Sequence, residues 1–220
     1  MSEAARLVLI RHGHTSSNSS GGLRMSGWTD TSLSDQGRHQ AAALARRMSS
    51  EAFAVLYTSP LLRALETARP VAKAACAELR LEPDLREIHC GDVDGWRVEK
   101  VRQLYPELWA ANLRQGDESF RWPGGESYRE LRERSLGAIR RIAAAHPRER
   151  ILVVTHAGVI SQVVGCLSGI SPARWECHRP GNCSLTEVDW QGESGRLVSF
   201  DDRRHLAEPW PLASRHPRGG

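Results

Sequence analysis

Arg11, His12 and Gly13 directly follow the apolar run 7–10, and this placement indicates residues that bind a ligand or react with it. A short run of aliphatic and β-branched residues predicts a buried strand. The glycine permits a sharp turn and lets a ligand approach the backbone closely. Open α/β sheets bind their ligands at the carboxyl edge of such strands. An arginine beside a histidine there suits a phosphate, because the guanidinium can hold the anion while the imidazole attacks or protonates it.

Two further stretches predict functional side chains at the same edge. Arg63 lies in the first turn of the helix that follows the second predicted strand, and His156 follows the predicted strand 151–155. If these strands run parallel, both residues join Arg11 and His12 at one end of the sheet. Each residue taken singly is more often structural. The hypothesis of a phosphoryl-binding pocket therefore rests on the agreement of independent stretches.

Other groupings of histidine and cysteine give weaker signals. His14, two residues after His12, makes a pair that suits zinc, which binds imidazole. No carboxylate or cysteine is spaced to complete such a ligand set, although a metal-dependent hydrolase stays open as an alternative. Cys177, His178 and Cys183 form an equally weak zinc signal. We expect neither a metal nor a cofactor at the site.

Length and charge limit the function classes. The chain has 220 residues, a net charge of +4 and a pI near 9.0. This length suits one domain, which we place at 1–210, with an insertion at about 88–124 and a flexible tail at 211–220. The longest basic cluster, from Arg129 to Arg141, alternates with glutamates. It predicts a solvated helix face rather than a surface that binds nucleic acid.

The cysteines and the apolar runs bear on the compartment. Five cysteines without regular spacing argue against a disulfide framework. No apolar run approaches membrane-spanning length, and the N-terminus shows no signal-like pattern. We therefore expect a cytoplasmic protein that binds neither membranes nor nucleic acid.

Hydrophobic periodicity predicts strands that alternate with helices. Strands are predicted at 5–10, 53–58, 78–85, 151–155, 184–190 and 196–200. Helices are predicted from Asp35 with Ser34 as its cap, from Ser59-Pro60, near 98–113, from Ser127 to Pro147, and from His156 to about Leu167. The alternation favours an α/β fold, a three-layer α/β/α sandwich with a mostly parallel central sheet and a small cap insertion over its carboxyl edge. In that cap, Trp109 and Trp122 either line an entrance or pack the interior.

The motifs of the chain, taken in order, resemble those of the histidine phosphatase superfamily, also called phosphoglycerate-mutase-like. They are Arg11-His12-Gly13 with Thr15 and Asn18, Ser26-Gly27-Trp28, Leu33-Ser34-x-x-Gly37, Ser59-Pro60-Leu61-x-Arg63-Ala64-x-x-Thr67-Ala68, Leu85-x-Glu87 with Gly91 and Gly95, Pro123-Gly124-Gly125-Glu126-Ser127, Thr155-His156-x-Gly158 and Asn182-x-Ser184. The resemblance covers residues 6–206. It departs at His14, where many members have an acid, and at Val93-Asp94, where phosphatase members often have Trp-Glu.

The resemblance implies a role for each matched residue. His12 is the expected nucleophile, which forms a phosphohistidine. Its attacking nitrogen must be unprotonated, so we expect the other ring nitrogen to donate to a backbone carbonyl. Arg11, Arg63 and His156 are expected to bind the phosphoryl oxygens and to stabilise the transition state. Glu87 is expected to protonate the leaving alkoxide and then to activate water.

Four further residues complete the expected substrate-binding set. The resemblance implies that Asn18 contacts the phosphoryl oxygens, and that Ser26 and Gly27 contribute a hydroxyl and backbone groups. Ala157 begins the helix after His156, where backbone N–H groups face an anion.

The family contains both phosphatases and mutases. The stretches 26–30 and 87–91 look mutase-like, but the insertion is shorter than in cofactor-dependent mutases and lacks their spacing of a lysine and an arginine pair. The run 123–127 is typical of the phosphatase branch. We therefore expect a metal-independent phosphomonoesterase acting on a small phosphorylated metabolite: a sugar phosphate, a phosphoglycerate derivative or a phosphoserine-like molecule. A 2,3-bisphosphoglycerate-dependent phosphoglycerate mutase and a non-catalytic phospho-ligand-binding protein stay open, as does a homodimer.

Overall fold

The computed structural model describes residues 4–18 and 23–207, and Asn18 by its backbone alone. Its central element is a sheet of six strands within these residues. They are β1 (Ala5–Arg11), β2 (Val55–Thr58), β3 (Glu78–Leu81), β4 (Arg150–Thr155), β5 (Leu185–Gln191) and β6 (Ser194–Asp202). The order is β3-β2-β4-β1-β5-β6, in which the first four strands are parallel and β5 pairs antiparallel with both β1 and β6. The prediction of a mostly parallel sheet is confirmed, while the tail 211–220 lies outside the described residues.

Six α-helices accompany the sheet in the described part of the chain. They are α1 (Asp35–Met48), α2 (Leu62–Ala74), α3 (Val98–Leu104), α4 (Pro106–Arg114), α5 (Tyr128–Ala145) and α6 (Ala157–Leu167). Short 3-10 turns lie at Ser16–Asn18, Pro83–Leu85, Gly91–Val93 and Arg204–Leu206. None of the helices described is long and apolar enough to cross a membrane.

The helices form two layers, because the side chains of a strand alternate between its faces. Leu7 and Leu9 of β1 pack in the cluster that contains the apolar residues of α5 and α6. Val8 and Ile10 pack in a second cluster with α1 and α2. All four side chains are buried, as expected of a central strand that is covered on both faces. The three-layer α/β/α prediction is confirmed.

The start of α2 differs from the prediction. The helix begins at Leu62 rather than at Pro60. We expected the hydroxyl of Ser59 to cap the helix. It accepts from Leu61 N at 3.3 Å, and it also lies 2.8 Å from the buried ring of His156. The N–H of Leu62 instead donates to Asp30 Oδ1 at 3.0 Å. The cap thus comes from a distant loop, which local sequence does not reveal.

Two proline residues shorten predicted elements. The strand predicted over 78–85 ends at Leu81, because Pro83 cannot donate to a ladder and starts a 3-10 turn. The helix predicted near 98–113 is two helices that meet at Tyr105. Pro106 disfavours helical backbone in the residue before it, and Tyr105 has φ −130° and ψ 55°.

The cap over the carboxyl edge has an aromatic interior. Trp122 is buried with Phe120 and Tyr128, and Trp109 packs against this cluster. The rings of Trp109 and Trp122 lie 6.4 Å apart, and those of Phe120 and Trp122 lie 5.3 Å apart, edge to face. The sequence left open whether these tryptophans line an entrance or pack the cap interior. The structure shows that Trp122 packs the interior.

The first turn of α1 rests on the loop that follows β1. Ser34 accepts from Gly37 N at 3.1 Å, as predicted for its cap, and donates its own N–H to His14 O at 2.9 Å. A Cβ added to Gly37 would lie 2.1 Å from His14 O. The helix therefore packs against the loop that carries His12 so closely that position 37 has no room for a side chain.

We expect Gly37→Ala to destabilise the protein by about 2 kcal/mol or more, because the added methyl meets backbone. The matched variant is Gly137→Ala in α5, where a Cβ would meet only the tip of Arg141 at 3.4 Å. That variant should be neutral or stabilising by about 0.5–1 kcal/mol, since alanine is the better helix former. Urea unfolding of both variants checks this, and equal effects would contradict the close approach at Gly37.

Candidate active site

The register of β1 and β4 brings two histidines together. Arg11 pairs with Thr155 across these parallel strands, so the next residues, His12 and His156, leave the sheet side by side. The N–H of His12 donates to Thr155 O at 2.9 Å. The centroids of the two imidazole rings lie 5.2 Å apart, at an angle of 57°. The predicted convergence at the carboxyl edge is confirmed for this pair.

The protonation of His12 is fixed by the backbone. Its Nδ1 lies 2.7 Å from Gly13 O. A carbonyl oxygen only accepts, so Nδ1 carries the hydrogen and Nε2 keeps a lone pair. This arrangement agrees with the expectation for an attacking imidazole. The side-chain amide of Asn182 donates to His12 O at 2.9 Å, which also anchors the backbone of the residue.

Arg11 is a buried cation with an open hydrogen-bonding position. One terminal N–H group donates to Pro180 O at 2.8 Å, and Nε is buried without a hydrogen-bond partner among the described residues. Burial lowers the pKa of Arg11 to about 10, with further lowering by the positive charges of Arg179 and Arg63. The guanidinium stays charged at pH 7 and needs an anion.

Arg63 is 1% exposed, and backbone carbonyls hold it. Its guanidinium donates to Thr29 O at 3.0 Å, Gly27 O at 2.7 Å and Ser26 O at 3.3 Å. Burial lowers the pKa of Arg63 from the usual arginine value. The hydroxyl of Ser26 donates to Arg24 O at 3.4 Å. Ser26 and Gly27 thus contact Arg63 through their carbonyls, in a supporting position that the sequence did not predict.

Glu87 lies against the start of α6. One carboxylate oxygen accepts from Gly158 N at 3.1 Å, and the other accepts from Ile88 N at 3.0 Å. A Cβ on Gly158 would lie 2.1 Å from the carboxylate oxygen Oε1 of Glu87. The glycine of the Thr155-His156-x-Gly158 motif is therefore needed to admit the carboxylate to the helix N-terminus, where the dipole favours negative charge.

An ion pair organises the segment that carries Glu87. Arg134 forms two hydrogen bonds with Glu126, of 2.8 and 2.7 Å, and both side chains are largely buried. Arg134 also donates to Asp84 O at 2.6 Å and to Arg86 O at 2.9 Å. Sequence reasoning missed Arg134. The Gly-Gly-Glu-Ser run held the signal, since Glu126 is the carboxylate of this pair.

His156 is fully buried beside Ser59. Its Nε2 lies 2.8 Å from Ser59 Oγ, and Nδ1 has no hydrogen-bond partner in the part of the chain that the structure describes. Burial lowers the pKa of His156 well below the usual histidine value, and the positive charge of Arg63 lowers it further. Ser59, predicted only as a helix cap, is a site residue that orients this imidazole.

Other predicted residues lie apart or are less fully described. His14 Nδ1 lies 2.8 Å from Ser34 Oγ, so His14 contacts the start of α1. Ala157 is the first residue of α6, beside the predicted site as expected. The side chain of Asn18 lies outside the described residues. In residues 4–18 and 23–207, no group of three or more His, Cys, Asp or Glu is arranged to hold a metal ion.

The arrangement suits a tetrahedral anion. Two guanidinium groups, Arg11 and Arg63, meet two imidazoles there, and neither arginine forms an ion pair with any residue that the structure describes. Because buried charges need compensation, the site favours a ligand that brings negative charge. The Nε2 lone pair of His12 supplies a nucleophile, and Glu87 supplies a group that can exchange a proton.

Comparisons with known proteins agree with this chemistry. The family model of the histidine phosphatase superfamily (branch 1) matches residues 7–203. A metal-independent phosphoserine phosphatase of Arabidopsis thaliana is 34% identical over 208 residues, which are 94% of this chain and 85% of that protein. Phosphoglycerate mutase-like protein 4 of the same plant is 40% identical over 214 residues, 96% of this chain and 90% of that protein. A mycobacterial glucosyl-3-phosphoglycerate phosphatase structure has a TM-score of 0.80 at 28% identity, and covers 91% of this chain and 100% of that one.

We expect the protein to lose stability as the pH falls from 7 to 5.5. Burial, with Arg63 next, lowers the pKa of His12 and His156, so the unfolded chain binds protons below about pH 6.5 that the folded chain does not. Each histidine contributes a slope of up to about 1.4 kcal/mol per pH unit. The double variant His12→Gln with His156→Gln should show a shallower slope in urea unfolding. His14 and His205, whose pKa values burial also lowers, would leave a residual slope. An unchanged slope would contradict the neutral imidazole pair.

Proposed function

The chain belongs to branch 1 of the histidine phosphatase superfamily and is a phosphoric monoester hydrolase, and on this premise we propose a metal-independent reaction through a phosphohistidine on His12. The substrate is a small phosphorylated metabolite. The observation that carries the proposal is the contact of His12 Nδ1 with Gly13 O, at 2.7 Å. It leaves an unprotonated Nε2 beside Arg11 and Arg63, two buried cations without a direct ion pair among the residues that the structure describes.

In the first step, His12 Nε2 attacks phosphorus. The N–P bond forms as the ester P–O bond breaks, and Glu87 gives its proton to the leaving alkoxide. Arg11, Arg63 and His156 stabilise the negative charge that spreads over the phosphoryl oxygens.

In the second step, water attacks the phosphohistidine. Glu87, now a carboxylate, takes a proton from the water, and the N–P bond breaks as the new P–O bond forms. The products are inorganic phosphate and His12 with its Nε2 lone pair restored. The same charged groups serve both steps, so one site performs both halves of the reaction.

Metal independence follows from the same groups. Phosphoryl transfer needs charge stabilisation more than covalent chemistry, and cations supply it. In this site, the two guanidinium groups take that role, and the neutral imidazole of His156 adds a hydrogen-bonding group. The Arabidopsis relative is named as metal-independent, which supports the proposal for this chain.

The substrate class is set by features outside the phosphoryl pocket. The relatives are named for phosphoserine, phosphoglycerate and glucosyl-3-phosphoglycerate, all small phosphorylated molecules. We propose a substrate of this kind: a sugar phosphate, a phosphoglycerate derivative or a phosphoserine-like compound. The mutase-like relative makes phosphoglycerate mutase the second candidate.

We expect the protein to release phosphate from members of a phosphomonoester panel in the presence of EDTA. His12→Ala should lower the rate at least 10³-fold, because the nucleophile is lost. A colorimetric phosphate assay measures both. The intermediate should appear as protein-bound phosphate that is lost in acid and retained in base. Activity that survives in His12→Ala, or that EDTA abolishes, would overturn the mechanism.

The same preparation separates the alternatives. A mutase interconverts 2- and 3-phosphoglycerate after priming with 2,3-bisphosphoglycerate, whereas a phosphatase releases phosphate without a primer. Binding of phosphorylated compounds without any turnover would indicate the non-catalytic reading. Rapid interconversion with little phosphate release would replace the phosphatase proposal by the mutase one.

We expect Gly158→Ala to lower kcat for an alkyl phosphate more than tenfold, because the methyl displaces the Glu87 carboxylate. The first turnover of p-nitrophenyl phosphate should suffer less, since nitrophenolate leaves without a proton. Gly165→Ala in the same helix is the control, as its Cβ would meet only the tip of Arg132 at 2.9 Å and Ile170 at 3.9 Å. Equal losses for both esters in the first turnover would contradict proton donation by Glu87.

A further inference from the structure

Asp94 binds three consecutive backbone N–H groups of the loop beside the site. Its carboxylate accepts from Gly27 N at 2.9 Å, Trp28 N at 2.6 Å and Thr29 N at 3.0 Å. Asp94 is partly buried and directly follows the 3-10 turn Gly91–Val93 of the cap. Charged carboxylates form strong hydrogen bonds with backbone N–H groups. The loop is therefore anchored to the cap along one side.

The other side of the same loop faces Arg63. Carbonyls of Ser26, Gly27 and Thr29 accept from its guanidinium, at 3.3, 2.7 and 3.0 Å. In two of these peptide groups, Ser26–Gly27 and Gly27–Trp28, the N–H thus points to the carboxylate and the C=O points to the cation. Peptide dipoles aligned between opposite charges reinforce one another. The loop therefore lies between Asp94 and Arg63 and is hydrogen-bonded to both side chains.

This loop also contacts the segment that carries Glu87. The indole N–H of Trp28 donates to Glu87 O at 2.8 Å. A Cβ on Gly27 would lie 2.5 Å from Ile88 O and 2.9 Å from Cys90 N, so the loop packs tightly on that segment. One short stretch of backbone thereby meets both the arginine and the carboxylate segment of the site.

We propose that Asp94 is a positioning residue for phosphoryl transfer, acting through the backbone of residues 27–29 to hold the Arg63 guanidinium ready for the phosphoryl group. A carboxylate bound directly to Arg63 would compete with the phosphate for the same cation. The relay through peptide groups fixes the orientation of Arg63 and leaves its charge available. The inference rests on the proposed function, since it assigns Asp94 a part in the same reaction.

The first test compares Asp94→Asn with Asp92→Asn. The amide at position 94 removes the negative charge and turns an NH₂ group towards backbone N–H donors. Asp92 is exposed, in the same turn, and loses the same charge. We expect Asp94→Asn to lower kcat/KM 10- to 100-fold and to weaken orthovanadate binding at least tenfold by calorimetry. Asp92→Asn should stay within twofold of the original protein in both. Unchanged orthovanadate affinity in Asp94→Asn would overturn the inference.

A double-mutant cycle tests the route through Arg63. In an Arg63→Ala background, adding Asp94→Asn should change orthovanadate affinity less than twofold, because the group that Asp94 positions is gone. Independent effects that multiply would overturn the relay. Asp94→Glu keeps the carboxylate and should recover most of the affinity. If a thermal melt shows that Asp94→Asn folds poorly, the comparison is made with Asp94→Glu instead.

The two proposals fail in distinguishable ways. If the original protein binds orthovanadate and shows turnover that depends on His12, while Asp94→Asn matches it, only the role of Asp94 is wrong. If the original protein neither binds orthovanadate nor releases phosphate from any ester, the phosphatase proposal fails and the role of Asp94 fails with it.

Discussion

Two arginine side chains are buried at the carboxyl edge of the sheet without a direct ion pair to any residue that the structure describes, and the site depends on this constraint. Buried cations without an anionic partner raise the free energy of the folded state. This destabilisation stays smaller where the neighbouring histidines are neutral, because they then add no positive charge. Burial together with Arg63 does lower the pKa of both His12 and His156. Neutral imidazoles are also what nucleophilic attack requires. The electrostatic condition for keeping the cations therefore coincides with the chemical condition for using His12.

The partners of each arginine distinguish its task. Arg11 and Arg63 donate to backbone carbonyls, which orient a guanidinium without forming an ion pair with it. Arg134, which lies behind the Glu87 segment, instead forms a two-point ion pair with Glu126. A paired arginine can hold structure but has little charge left for a ligand. The carbonyl partners of Arg11 and Arg63 thus leave these two guanidinium groups able to bind an anion, whereas the carboxylate partner of Arg134 ties it to the fold.

The sequence predicted the parts of the site that depend on periodicity. Alternating strands and helices placed His12 and His156 after parallel strands, and the register then put them side by side. The supporting contacts of Asp94 and Arg134 escaped prediction because they depend on the path of loops, which no repeating pattern encodes. Ser59 was interpreted as a helix cap for the same reason: its contact with His156 links residues 97 positions apart. Local propensity does not predict contacts between residues so far apart in the sequence.

The proposed function also accounts for a site that accepts different alcohols. In the proposed mechanism, the phosphoryl oxygens pair with Arg11, Arg63 and the imidazoles, and this pairing is the same for any monoester. Because the alcohol adds little to this step, a change in the cap can alter the preferred substrate without disturbing the chemistry. Relatives named for phosphoserine and for glucosyl-3-phosphoglycerate are consistent with this separation, since the same fold carries both names. Asp94 belongs to the cap yet anchors the loop behind Arg63, so cap changes that spare this carboxylate leave the phosphoryl pocket intact.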